Sequence, residues 1–86
     1  MKRQSLKNKG LLVRVQSEAK YIWYVNGIFE GYDGLAVVRT LDKEKGIIEL
    51  LSTADQSEDL YRLLQELSDE IGLVVLHDGD ASEFSL

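Results

Sequence analysis

An α+β fold with the element order βαββαβ is what this chain predicts, on three observations. Two segments carry apolar residues at helical spacing, four short segments read as strands, and a polar turn ending in glycine joins the middle two strands. The pattern occupies residues 11–77 and leaves a basic, disordered arm at 1–10 and an acidic tail at 78–86. At 86 residues and 44% hydrophobic, the chain is expected to form one domain with a modest core, to which self-association would add stability.

Residues 11–16 open the pattern as a strand, with Leu11, Val13 and Val15 on one face and Leu12, Arg14 and Gln16 on the other. Ser17 is placed to cap the helix that follows over residues 18–30. The apolar arc of that helix is Tyr21, Ile22, Tyr24, Val25, Ile28 and Phe29, and Gly31 and Gly34 end it. Residues 35–41 form the second strand and 46–53 the third. Between them runs Asp42-Lys43-Glu44-Lys45-Gly46, whose glycine supplies the left-handed conformation that a short hairpin needs. Asp55 stands three residues ahead of Glu58 as a capping-box-like pair for the second helix. That helix buries Leu60, Leu63, Leu64, Leu67 and Ile71 in one stripe, turns a polar face outward and stops at Gly72. Residues 73–77 are the last strand.

Right-handed crossovers then arrange the strands in the order 4-1-3-2, a ferredoxin-like antiparallel sheet with both helices on one face. Leu11, Val13, Val15, Ala36, Val38, Thr40, Ile48, Leu50, Val74 and Leu76 are expected beneath the helices. The opposite face would carry Leu12, Arg14, Leu35, Val37, Arg39, Leu41, Ile47, Glu49, Leu51 and Val75, which is too apolar for a surface left to water. Arg39 and Glu49 can pair there across adjacent strands. The expectation is a homodimer or higher homo-oligomer through Leu12, Val37, Arg39, Leu41, Ile47, Glu49 and Leu51. Two alternatives avoid association: the opposite register in strands two and three, or cover from the tail by Phe84 and Leu86.

Trp23 breaks the pattern of the first helix, because it falls on the polar side among Ala19, Lys20, Asn26, Gly27 and Glu30. A large aromatic in that position is either an interface contact, with Gly27 allowing close approach, or a ring lying over Gly27 and serving nothing else. Lys20 in the first turn opposes the helix dipole. With Gln16, Ser17 and free helix N–H groups it could hold a small carboxylate, or it is a solvated lysine.

Composition removes several classes of function. The chain has no cysteine, so disulfides, thiolate metal sites and cysteine nucleophiles are excluded, and no proline, so no segment is forced out of helix or strand. Six of the ten bases lie in residues 1–20 beside one acid, Glu18, whereas the remainder is strongly acidic and the whole chain is at −5. A body of that charge repels phosphate, which argues against nucleic acid as a partner. The basic start has no apolar segment after it and no run approaches membrane-spanning length, so an intracellular, cytoplasmic protein without a membrane partner is expected.

Catalytic constellations are scarce. The only histidine opens His77-Asp78-Gly79-Asp80, an incomplete set for a metal that a strand running into an acidic tail explains equally well, and no metal site or cofactor is expected. No serine or threonine has a base nearby in sequence. Glu30-Gly31-Tyr32-Asp33-Gly34 follows a helix and precedes a strand, the wrong order for a phosphate loop, and reads as a helix end.

The element order over residues 11–77, free of insertions, resembles the ferredoxin-like domains that include the ACT regulatory modules. The resemblance implies small-ligand binding at a subunit interface near the turn from the first strand to the first helix, here Gln16-Ser17-Glu18, which lacks the glycine typical of those modules. The segment from Tyr32 to Asp42 is also similar to small uncharacterised bacterial proteins of this type, which implies a fold and no activity. Metal carriers of this fold would need a Cys-x-x-Cys pair. RNA-recognition motifs would need strand aromatics where Val13, Val15, Ile48 and Leu50 stand, and acylphosphatases an arginine and an asparagine that have no match. The expected function is a non-enzymatic, ACT-like regulatory or small-ligand-sensing module acting as an oligomer. The alternatives are a protein-interaction scaffold and a small stand-alone enzyme.

Overall fold

The computed structural model describes residues 10–80. Strand β1 spans Gly10–Gln16, helix α1 Ile22–Glu30, β2 Val37–Asp42, β3 Ile47–Thr53, helix α2 Ser57–Ile71 and β4 Val74–Asp80. The strands form one sheet in the order β2-β3-β1-β4 with every neighbouring pair antiparallel, which is the ferredoxin-like arrangement expected. The arm expected at 1–10 and the tail at 78–86 fall mostly outside the described residues, Phe84 and Leu86 among them; Gly10 already belongs to β1 and β4 runs on through Asp80.

Both helices lie on one side of the sheet. Val13, Val15, Ile48 and Leu50 from the central strands meet Val25 and Phe29 of α1 and Leu60, Leu63, Leu64 and Leu67 of α2 in a single buried cluster. The two helices read differently because α1 fills its arc with partly buried Ile22, Tyr24 and Ile28, whereas α2 concentrates its apolar residues in one leucine stripe. Gly72, at φ +75°, closes α2: its N–H bonds the Ser68 carbonyl at 3.0 Å and the Leu73 N–H reaches back to Leu67.

The structure corrects several local expectations. Neither helix opens on a side-chain cap. Each is led in by a single 3₁₀ turn, Ala19–Tyr21 and Ala54–Gln56, whose i to i+3 bonds satisfy N–H groups that a cap would otherwise serve. Ser17 donates its hydroxyl to the Glu18 carbonyl at 2.9 Å, and Asp55 accepts from the Thr53 hydroxyl at 2.7 Å, so neither acts as the expected cap. Leu35 precedes β2 and sits in the core rather than on the outer face, because Gly34 at φ +78° turns the chain inward. There the Leu35 carbonyl accepts the buried Ser52 hydroxyl at 2.6 Å. In β4 a register shift at Arg14 and Val15 sets Val75 opposite Val15 and Val74 opposite Gln16. Val75 therefore belongs to the helix side and Val74 to the outer side, the reverse of the expectation.

Gly46 has a tighter role than that of a turn residue. It lies at φ +74°, its carbonyl accepts the Ser17 N–H at 2.9 Å, and a Cβ there would collide with the Ser17 carbonyl.

Candidate functional site

Strand alternation turns every second residue of the sheet away from the helices, and among the described residues no helix covers that side. Register places its side chains in three cross-strand rows. Read from β2 to β4, the first is Val37, Leu51, Leu12 and Gly79. The middle row is Arg39, Glu49, Arg14 and His77. The third is Asp42, Ile47, Gln16 and Val74, with Leu41 left beside it by a register shift in β2.

The centre of the face is an ion network. Glu49 Oε1 accepts from Arg39 Nη2 at 2.7 Å and Oε2 from Arg14 Nε at 3.3 Å. The two guanidiniums close over the carboxylate, whose side chain keeps only 8% of its exposure, while Arg39 stays largely exposed. A carboxylate this buried is tolerable because each oxygen has a cationic donor. Apolar side chains flank the network: Val37 is 67% exposed and Leu51 43%, with Leu41 and Val74 also exposed, whereas Leu12 is at 7%. The pairing of Arg39 with Glu49 was legible in the sequence. Arg14 was placed on this face but not grouped with the pair, and the signal for it was strand order, since β1 beside β3 sets Arg14 against Glu49.

The candidate ligand turn is occupied by its own chain. Gln16 donates its side-chain amide to the Lys45 carbonyl at 2.7 Å, and Ser17 is buried with its hydroxyl on Glu18. Lys20 lies 3.8 Å from the Glu18 carboxylate and 5.3 Å from the centroid of the Tyr21 ring. The structure brings these three residues together around one turn, with their polar groups directed at protein atoms.

Trp23 stands 72% exposed on the outer side of α1, as the helical wheel places it. Its ring meets Tyr24 edge-on, with centroids 5.8 Å apart, and among the described residues nothing beyond the helix's own backbone and the neighbours of Gly27 lies within 4 Å of a Cβ placed on Gly27. The Tyr24 hydroxyl donates to Glu70 at 2.9 Å, which raises its pKa because the bond favours the phenol. Tyr61 donates to Asp78 at 2.7 Å. Burial first, and then that bond, push its pKa up to about 12.

A domain-family model matches residues 13–71, under the description "domain of unknown function" and the designation DUF4911. The chain belongs to the DUF4911 family. The match starts inside β1 and ends with the last residue of α2, so the Arg39, Glu49 and Arg14 network lies within the DUF4911 span, while Leu12 and β4 lie outside it. No curated protein and no solved structure matches the chain.

Beyond the sheet face, the DUF4911 domain has a shallow groove of 440 Å³ between α2 and the loop after α1, with Tyr32, Asp33, Asp59, Arg62 and Glu66 on its walls. Arg62 pairs with Asp59 at 3.2 Å on the helix surface, and both side chains are more than 60% exposed. Polar groups so hydrated lack the desolvation that a catalytic cleft gives its acids and bases. His77 and Asp78, the possible metal pair, point to opposite faces of β4, and no cluster of three ligating residues occurs among the described residues. No helix among them is long and apolar enough to cross a membrane.

Proposed function

We propose that this domain is a non-enzymatic interaction module that acts as a homo-oligomer, with the uncovered sheet face as its contact surface and an ACT-like regulatory role. One observation carries the reading: Val37, Leu51, Leu41 and Val74 lie exposed around a buried carboxylate paired with two arginines. Exposed aliphatic side chains gathered on one uncovered face mark a contact surface, and the charges at its centre are compatible with contact because they are already paired. Regulation through association fits better than regulation through the Gln16, Ser17 and Lys20 turn, because a carboxylate there would have to displace bonds those side chains already make. A stand-alone enzyme is less well supported, since the groove on α2 is open and its charged groups are exposed.

Light scattering at micromolar concentration tests the reading. A mass of at least twice the 9.7 kDa of the chain is expected, and the monomer mass would overturn it. Val37→Lys should weaken the assembly, because it replaces the most exposed aliphatic side chain of the face with a charge. A thermal-shift screen of amino acids and other small carboxylates separates scaffold from sensor: stabilisation abolished by Lys20→Ala would restore ligand sensing.

A further inference from the structure

The order of side chains along the rows of the outer face specifies how two copies would meet. When two sheets stack with their strands aligned, a twofold axis lying between them has two orientations. An axis along the strands reverses strand order and sets each row on itself, so that β3 lies over β1 of the second copy and β2 over β4. An axis across the strands keeps strand order and sets the first row on the third.

We propose that a second copy of this chain docks on the outer face about an axis running along the strands, between β1 and β3. The inference rests on the dimer reading above and adds its geometry. With this axis the Glu49 carboxylate, which keeps 8% of its exposure beneath its own two guanidiniums, lies over Arg14 of the second copy, and Arg14 over the other Glu49, so opposite charges stand over each other twice across the contact. The axis across the strands would instead set Glu49 on Glu49, Arg14 on Arg14 and Arg39 on Arg39, three like-charge contacts.

The apolar rows select the same orientation. Val37, the most exposed aliphatic side chain on the face, then lies over Gly79, which offers no side chain to clash with it, and Leu51 lies over Leu12. Arg39 and His77 meet at the two rims, where edge strands leave their polar ends within reach of water.

The chain has no cysteine, so every thiol cross-link reports an introduced residue. Leu51→Cys and Ile47→Cys are made singly, and a bismaleimide with a reach between the two separations below is added to each variant and to their mixture. Sheet spacings set Leu51 about 11 Å from Leu51 of the second copy with the proposed axis, and about 17 Å with the other. Each variant should therefore link to itself, and the mixed Leu51→Cys with Ile47→Cys product should be absent. A mixed product without self-linking overturns the axis and leaves the dimer. A dimer mass with no cross-link of any kind puts the contact on another surface. A monomer mass removes the dimer reading as well, and a monomer whose thiol at position 51 does not react with maleimide would mean that the chain covers its own face.

Discussion

The two faces of the sheet are built from the same strands and obey different rules. On the helix side, Val13, Val15, Ile48 and Leu50 are fully buried and contribute through dry packing alone. On the outer side, one residue away along each strand, Leu51 is half exposed, and the buried groups are Leu12 and a carboxylate held by two arginines. Burial by itself therefore does not identify the core of this molecule. Glu49 and Ile48 are adjacent and both shielded from water, one by guanidinium groups and the other by helices.

Paired substitutions across the pleat sharpen the contrast most. Leu50→Ala should lower unfolding stability by about 2–5 kcal/mol through the cavity it leaves, while Leu51→Ala should change monomer stability by only about 0.5 kcal/mol. Urea denaturation of both variants, at concentrations where the chain is monomeric, checks this; comparable losses would mean that the outer face is covered. Glu49→Gln comes next. It removes the carboxylate to which both Arg14 and Arg39 donate, and the loss should be about 1–2 kcal/mol, reduced from a fully buried case by the exposure of Arg39 and partly relieved by added salt.

A smaller effect links the helix side to β4. Because the pKa of Tyr61 is raised from 10 to about 12, the folded state holds the phenol proton more tightly than the unfolded chain does. That contribution is complete below pH 10 and disappears as pH rises to about 12. Tyr61→Phe should remove this part of the stability profile, and a variant that keeps it would assign the titration elsewhere. The smallest change is expected at Trp23, where replacement by alanine should alter the melting free energy by no more than about 0.5 kcal/mol, because the ring is largely hydrated. A loss near that of Leu50→Ala would make Trp23 part of the core.

What could be read from the chain follows from which forces act locally. The leucine stripe of α2 and the arc of α1 with Trp23 outside it are periodic features, and periodicity survives into the fold; the order of the strands follows from crossover handedness. The pairing of Arg39 with Glu49 was legible because it needs only the hairpin register. Ser17 carries the sequence signature of a cap, which a serine before a helix has whether its hydroxyl serves the helix or, as here, the Glu18 carbonyl. The faces of Val74, Val75 and Leu76 could not be read: three consecutive aliphatic residues carry no alternation, and the register shift at Arg14 and Val15 decides them. Leu35 went astray for a similar reason, since nothing local marks where β2 begins until Gly34 turns the chain. At the candidate ligand turn, the partners of the Gln16 side chain and the Ser17 amide could not be read, because Lys45 and Gly46 arrive from nearly thirty residues away.

The contact between Gly46 and Ser17 also bears on how the chain tolerates being lengthened. Hairpin tips are ordinarily the sites where insertions, tags or new termini do least harm. Here the tip is docked by its last residue against the β1 to α1 junction, with no room for a side chain and with the Gly46 carbonyl bonded to the Ser17 amide. Residues added on the Gly46 side would pull that glycine out of place and loosen the entry to α1. The loop at Tyr32 and Asp33 is exposed, but the Leu35 N–H closes it on the Tyr32 carbonyl at 3.0 Å, so a segment grafted there would disturb the turn that sets Leu35 in the core.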